Sequence, residues 1–276
     1  MNYTITCIGS GNMGGALMKA AARVIGGAAI GVTDADREKA EGFAVELGGG
    51  ALASNTEAAS EGRFVLLAVK PQVARTVLAE IAPVLASRLQ DGKPAVLVSI
   101  VAGLSIGDLR QHLLASGGNE HQPVIRLMPN TPALVSKGMI ALAASSEVKA
   151  EDLRSLESIF AQAGLVDRID EKYMDAVTAL SGSGPAFVYL FIEALADAGV
   201  HAGLSRDKAL RYAARTVLGS AAMVEEAGQH PAVLKDAVAS PAGTTIAGIA
   251  ALEDRAFRGT VMAAVDAAFR RAKELG

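Results

Sequence analysis

The 276-residue chain has one cysteine, Cys7, and no tryptophan. A single cysteine excludes a disulfide framework within the chain and fits a reducing compartment. Aromatic residues are only 4% of the sequence, so platforms for stacking nucleic-acid bases are not expected. Basic charge is short as well: 26 Lys and Arg against 29 Asp and Glu give a formal net charge of −3, with no basic block or stripe. Nucleic acid is therefore not expected as a partner. The four histidines, His112, His121, His201 and His230, are scattered without metal-ligand spacing, so no metal site is expected. No basic segment precedes an apolar stretch at the N-terminus, which argues against a signal peptide. The longest apolar run lies near residues 95–106. Ser99 and Gly103 interrupt it, and it falls short of the ~20 residues that span a bilayer. Together these absences predict a soluble cytoplasmic protein without a membrane partner.

Apolar residues, by contrast, make up 51% of the chain, enough for a sizeable core and more than one domain. Two kinds of patterning divide it. Over residues 1–168, short apolar runs alternate with helical stretches: Tyr3–Ile8, Ala29–Thr33, Phe64–Val69, Ala95–Ile100, Val124–Met128, and the weaker Met139–Ala144 and Val166–Ile169. Most are continuously apolar, as in parallel strands covered by helices on both faces. This predicts an α/β domain with a doubly wound sheet. Over residues 169–276 no strand pattern survives, and an all-helical domain is predicted, with a helix opened by Ser205 as N-cap. The helix over Pro185–Val200, "PAFVYLFIEALADAGV", is apolar nearly all round and must be buried on most faces. A homodimer through this domain is the simplest way to bury it; burial within its own domain is the alternative.

The stretch "CIGSGNMGGA" places Gly9, Gly11 and Gly14 at G-x-G-x-x-G spacing between a strand and a helix, the setting of a dinucleotide-binding turn. Gly9 permits the sharp turn, Gly11 lets the backbone approach a pyrophosphate, and Gly14 allows close helix–strand packing. Asn12 and Met13, at the helix start, join this candidate set, because the first amides of a helix lack intrahelical partners and attract anions. At the end of the second strand, Asp34 could accept from the ribose hydroxyls of NAD, or instead cap the next helix. Arg37 could pair with the 2′-phosphate of NADP. The third run ends in "LLAVKPQ", where Pro71 turns the chain outward, so Ala68, Val69, Lys70 and Pro71 are candidate cofactor neighbours. Cys7, in the first strand, reads as a small core residue.

Further motifs carry a resemblance. "IGSGNMGGAL" at 8–17, "AVKPQ" at 68–72, "RLMPNTPALVSKG" at 126–138, "LSGSGPAFVY" at 180–189 and "LKDAVASPAGTTIAGI" at 234–249 occur in the order found in pyrroline-5-carboxylate reductases, which the chain resembles nearly end to end. The resemblance implies a Rossmann domain followed by a helical domain that dimerises, in some members further into decamers. It implies reduction of 1-pyrroline-5-carboxylate to L-proline with NADPH or NADH, so the cofactor expected is NADP, with NAD as the alternative.

The site implied by the resemblance starts at "SPAGTT", Ser240 to Thr245. Backbone at Gly243, Thr244 and Thr245 would hold the substrate carboxylate, and the Thr245 hydroxyl would meet the ring nitrogen. A helix-capping role for Thr244 or Thr245 is the alternative. "SGSGPA" would line the substrate pocket with Ser181 and Ser183 near the nicotinamide, Ser183 being also a candidate cap. Asn130 could bond nicotinamide or neighbouring backbone. Asn55 resembles a ribose-contacting asparagine, with a helix cap as its rival. The chain departs from the family's frequent pattern at Ala242, where Gly is common, at Ala237, where Asn is common, and at Asp34. Two other readings are a β-hydroxyacid-type dehydrogenase, whose Gly-x-x-x-Asn-x-x-Lys setting neither Lys208 nor Lys235 matches, and a non-catalytic NAD(P)-binding regulator.

Overall fold

A computed structural model describes residues 2–275. Its sheet has eight strands: β1 (Tyr3–Ile8), β2 (Ile30–Thr33), β3 (Gly50–Ala51), β4 (Gly62–Leu67), β5 (Val96–Ser99), β6 (Val124–Pro129), β7 (Gly138–Ala144) and β8 (Gly164–Arg168). They lie in the order β3-β2-β1-β4-β5-β6-β7-β8. Neighbours are parallel throughout except β6 and β7, which run antiparallel. The alternating pattern of the sequence is thus a doubly wound sheet, with a reversed pair near one edge that continuous apolar runs could not reveal. The helices of this part are α1 (Asn12–Ile25), α2 (Arg37–Leu47), α3 (Asn55–Glu61), α4 (Pro71–Gln90), α5 (Ile106–Leu114) and α6 (Ala150–Phe160).

Strand side chains alternate between two buried layers. Ile5 and Cys7 of β1, with Phe64 and Leu66 of β4, pack with Leu17 and Met18 of α1 and with Leu156 and Phe160 of α6. Ile8 of β1, with Val65 and Leu67 of β4, packs on the other face against Ala58 of α3 and Leu78 and Ile81 of α4. Apolar burial on both faces fixes the register of each strand, because a slip by one residue would exchange the two sets. Two sequence boundaries shift. The strand expected to reach Val69 ends at Leu67, which frees Ala68 to Lys70 as a loop. The two-residue β3 was not anticipated, since "GA" within "GGGA" offers no apolar run.

The helical stretch that follows β8 also differs from expectation. After α7 (Met174–Val177) the chain takes a π-helical turn, Thr178–Gly182; Ser183 then forms a bend, and α8 (Gly184–His201) begins at the next glycine. The hydroxyls of Thr178 and Ser181 donate to the carbonyls of Met174 and Val177, at 2.8 and 3.0 Å, within that turn. The stretch Glu171–His201 contains an 18-residue window of mean hydropathy 1.3 and is long and apolar enough to cross a membrane by length and composition alone. It replaces residues 95–106 as the longest apolar segment; the sequence reading divided it at "SGSG".

The chain forms two compact units, one running to Gly182 and regaining the chain from Phe269, the other spanning Ser183–Ala268. The division by compactness falls later than the change of pattern at residue 168, because the short helices after β8 pack with the sheet: Met174 is buried in the same layer as Ile8. The second unit contains α8, α9 (Arg206–Ala227), α10 (Pro231–Ala237), α11 (Thr244–Asp254) and most of α12 (Phe257–Leu275). Its own core is small: Ala196, Ala209 and Ala213, with Ile192 and Val200 against them. Tyr189, Leu190, Leu218 and Met262 are exposed. Ala196 is the one buried residue of α8, so burial of this helix within its own domain, the alternative offered above, is not observed in the single chain.

Candidate active site

The glycine turn joins β1 to α1. Gly9 has φ +99°, and a Cβ there would lie 2.6 Å from the Ala68 carbonyl oxygen. Its amide donates to Thr33 at 2.8 Å, which ties the turn to the end of β2. At Gly14 a Cβ would come within 2.6 Å of the Gly9 carbonyl oxygen and 2.8 Å of the Ala68 Cβ. At Gly11 it would meet nothing within 4 Å. Gly9 and Gly14 are therefore required by the chain itself, whereas the space over Gly11 is left open. Gly11 is also the N-cap of α1 and supplies no side-chain acceptor, so the first amides, at Asn12 and Met13, retain free hydrogen-bonding capacity.

A cavity of about 740 Å³ opens over this turn at the carboxyl ends of β1, β2 and β4. The strand order reverses between β1 and β4, and such a switch point is where open α/β sheets bind ligands. Gly9, Gly11, Asp34, Asn55, Ala68, Val69 and Lys70 line it. Gly14, Asn12, Met13, Arg37 and Pro71 do not, although Pro71 opens α4 beside it. Lys39, Ser54, Thr76 and Glu80 also line the cavity and were not singled out in the sequence. Only folding could reveal them, since each stands on a helix or helix end whose facing depends on packing. A second, polar cavity of about 480 Å³ surrounds the buried Arg126 and contains none of the candidate residues.

Asp34 does not cap α2. That role belongs to Asp36, which accepts from the Lys39 amide at 3.1 Å. Asp34 instead accepts from the amide and the hydroxyl of Ser10, at 2.6 and 2.8 Å, and from the Asp36 amide at 3.1 Å. Burial alone would raise its carboxyl. The bonds from Ser10 and Asp36, with Lys39 nearby, outweigh that and hold it below its ordinary value. Arg37 turns outward to Glu41. Asn55 does not cap α3 either: Ser54 accepts from the Glu57 amide, and Asn55 donates to Glu80 at 2.7 Å. Cys7 is fully buried, and burial, helped by the charge of Asp34, pushes its thiol up to about 12, so it is a core residue.

Asn130 is buried at the end of β6, and both ends of its amide are engaged by backbone. It donates to the Ser181 carbonyl at 3.0 Å and accepts from the Met139 amide at 2.9 Å. Of its two sequence readings, the backbone role is the one present, and it fastens the π-helical turn to the sheet. In the second unit, Ser183 precedes α8 without a side-chain cap bond. Ser205 likewise occupies the N-cap of α9 without one. Gly243 caps α11 with no side-chain bond, so neither threonine caps this helix. Among the described residues, the hydroxyls of Thr244 and Thr245 make no hydrogen bond within the chain. Ala242, just before, has φ +56°.

Residues 171–275 match the family described as "Pyrroline-5-carboxylate reductase dimerisation", and residues 4–103 match "NADP oxidoreductase coenzyme F420-dependent". The chain is 42% identical over 280 aligned residues to a pyrroline-5-carboxylate reductase of Glycine max, covering 99% of this chain and 96% of that one. The chain belongs to the pyrroline-5-carboxylate reductase family. Solved structures of pyrroline-5-carboxylate reductases agree. That of Plasmodium falciparum, with NADP bound, has a TM-score of 0.85 at 36% identity, covering 100% of this chain and 98% of that one. That of Coxiella burnetii has a TM-score of 0.90 at 32% identity, covering 100% and 99%. Family membership over the whole chain removes the β-hydroxyacid dehydrogenase reading.

Proposed function

We propose that the protein reduces 1-pyrroline-5-carboxylate to L-proline, the last step of proline biosynthesis, using NADPH, with NADH as the alternative donor. The observation that carries this is the end-to-end likeness to pyrroline-5-carboxylate reductases, joined to a cavity built over the glycine turn. The residues present fit a dinucleotide: open space over Gly11, free amides at the start of α1, and Lys70 at the rim. When bound, the nicotinamide supplies the hydride.

The chain supplies binding and alignment. The imine nitrogen is basic and can arrive protonated, so a strong catalytic acid is not required; positioning and electrostatics suffice. In this reading the amides at Thr244 and Thr245 hold the substrate carboxylate at the start of α11; the Gly243 amide, also expected there from the sequence, instead donates to the Ser240 carbonyl at 3.1 Å and shapes the loop. The Thr245 hydroxyl, free of any cap bond, orients the ring nitrogen. Ser181 and Ser183 belong to the pocket wall. Asn130 acts as a positioning residue through the Ser181 carbonyl rather than by touching the cofactor.

The exposed apolar surface of α8, α9 and α12 supports a homodimer built through the second unit, and a subunit interface also accounts for the apolar stretch Glu171–His201 in a soluble, cytoplasmic enzyme. The test is turnover. Incubation with 1-pyrroline-5-carboxylate and NADPH should consume the reduced cofactor and yield proline in equal amounts. Nucleotide binding without turnover would favour the non-catalytic regulator instead.

A further inference from the structure

Two cations stand near the adenosine end of the cavity, and the fold separates their roles. Arg37 and Glu41 are one helical turn apart and share the outer face of α2, where Arg37 Nε donates to Glu41 at 2.7 Å and the Arg37 side chain is 83% exposed. Lys39, two residues further along, points to the other side of a helix that advances about 100° per residue. It lines the cavity, and its ammonium lies 3.5 Å from Asp34 Oδ2.

The state of Asp34 decides what this cation is for. In a site that selects NAD, the carboxylate at the end of the second strand is offered to the ribose hydroxyls and repels a 2′-phosphate. Here Oδ2 already receives both donors of Ser10, and Oδ1 receives the Asp36 amide. The carboxylate is committed to the chain's own loop, and its charge is offset by Lys39. We propose that Lys39 receives the adenosine 2′-phosphate and makes the protein prefer NADPH over NADH. A lysine suits this position as a point charge on a flexible stem. The proposal rests on the dinucleotide reading of the cavity, and Lys39 is a specificity residue for it.

The experiment measures dissociation constants of NADPH and NADH without substrate, by titration calorimetry, for the native protein, Lys39→Ala and Lys39→Arg. The native protein should bind NADPH more tightly. Lys39→Ala should weaken NADPH by about 10- to 100-fold, the loss of one charge-assisted bond, and NADH by no more than about threefold. Lys39→Arg should retain the preference. Competition should agree: 2′,5′-ADP displaces NADPH better than 5′-AMP from the native protein and loses that advantage in Lys39→Ala. Lys39 is half exposed, so melting temperatures should match. The proposal is overturned if Lys39→Ala leaves NADPH affinity intact, if both nucleotides weaken equally, or if the native protein prefers NADH. Failure of either nucleotide to bind the native protein would overturn the dinucleotide reading itself, and the proposal with it.

Discussion

Asp34 and Ser10 are joined twice: the carboxylate oxygen Oδ2 accepts from the Ser10 amide at 2.6 Å and from its hydroxyl at 2.8 Å. The bonds tie the end of β2 to the glycine turn. Because the Asp34 carboxyl is held below its ordinary value of 3.8, the stability it contributes is full above that value. It is lost as pH falls through the lower, folded-state value. Ser10→Ala removes one bond to a charged group, worth about 1.5–3 kcal/mol. Expected results are a lower melting temperature at pH 7 and a smaller acid-dependent loss below pH 4, read by thermal unfolding across pH. An unchanged acid limb would count against this linkage.

The three glycines of the turn should separate by experiment. Gly11→Val places its side chain in open space, so the fold should survive while nucleotide binding is abolished. Gly14→Val drives its side chain into the Gly9 carbonyl and Ala68, so it should destabilise the fold itself, by about 1–3 kcal/mol or more. Circular dichroism beside NADPH titration distinguishes them. A folded Gly11→Val variant with native affinity would remove this turn from the site.

Ala242 holds φ +56° in the loop before α11, a conformation that costs a residue with a Cβ about 1–2 kcal/mol. Ala242→Gly relieves that cost, offset partly by the greater freedom of glycine in the unfolded chain. A gain of up to about 1 kcal/mol in unfolding free energy is expected. Ala242→Val should move in the opposite direction, since a β-branched residue fits this region worse. Denaturant unfolding reads both.

Thr245→Val tests the reading of the substrate loop. Valine keeps the branched shape, and no cap bond exists to be lost at the start of α11. Loss of a hydrogen bond to the imine should lower kcat/KM for pyrroline-5-carboxylate by roughly 10- to 100-fold. The nucleotide dissociation constant should scarcely change. Normal turnover would mean that another group orients the imine.

The sequence by itself determined the sheet of the first unit and its central strands, because parallel strands buried on both faces read as near-continuous apolar, β-branched-rich runs bounded by turn residues, as "FVLLAV" and "AVLVSI" do. It also determined the glycine turn, whose spacing has a backbone reason at each position. Its ordered motifs carried the family. Tertiary structure decided what depends on facing and partners. It gave the N-cap of α2 to Asp36 rather than Asp34, and that of α3 to Ser54 rather than Asn55. Each neighbouring polar residue has the chemistry to cap, and only the turn geometry selects one. It sent Arg37 outward and Lys39 inward, a choice set by how α2 rolls against the sheet. It closed both ends of the Asn130 amide on backbone 9 and 51 residues away, and it wound the first half of "SGSG" into a π turn ahead of the bend at Ser183. Local pattern reports what a segment can form; long-range packing alone selects which of several equivalent donors and acceptors meet.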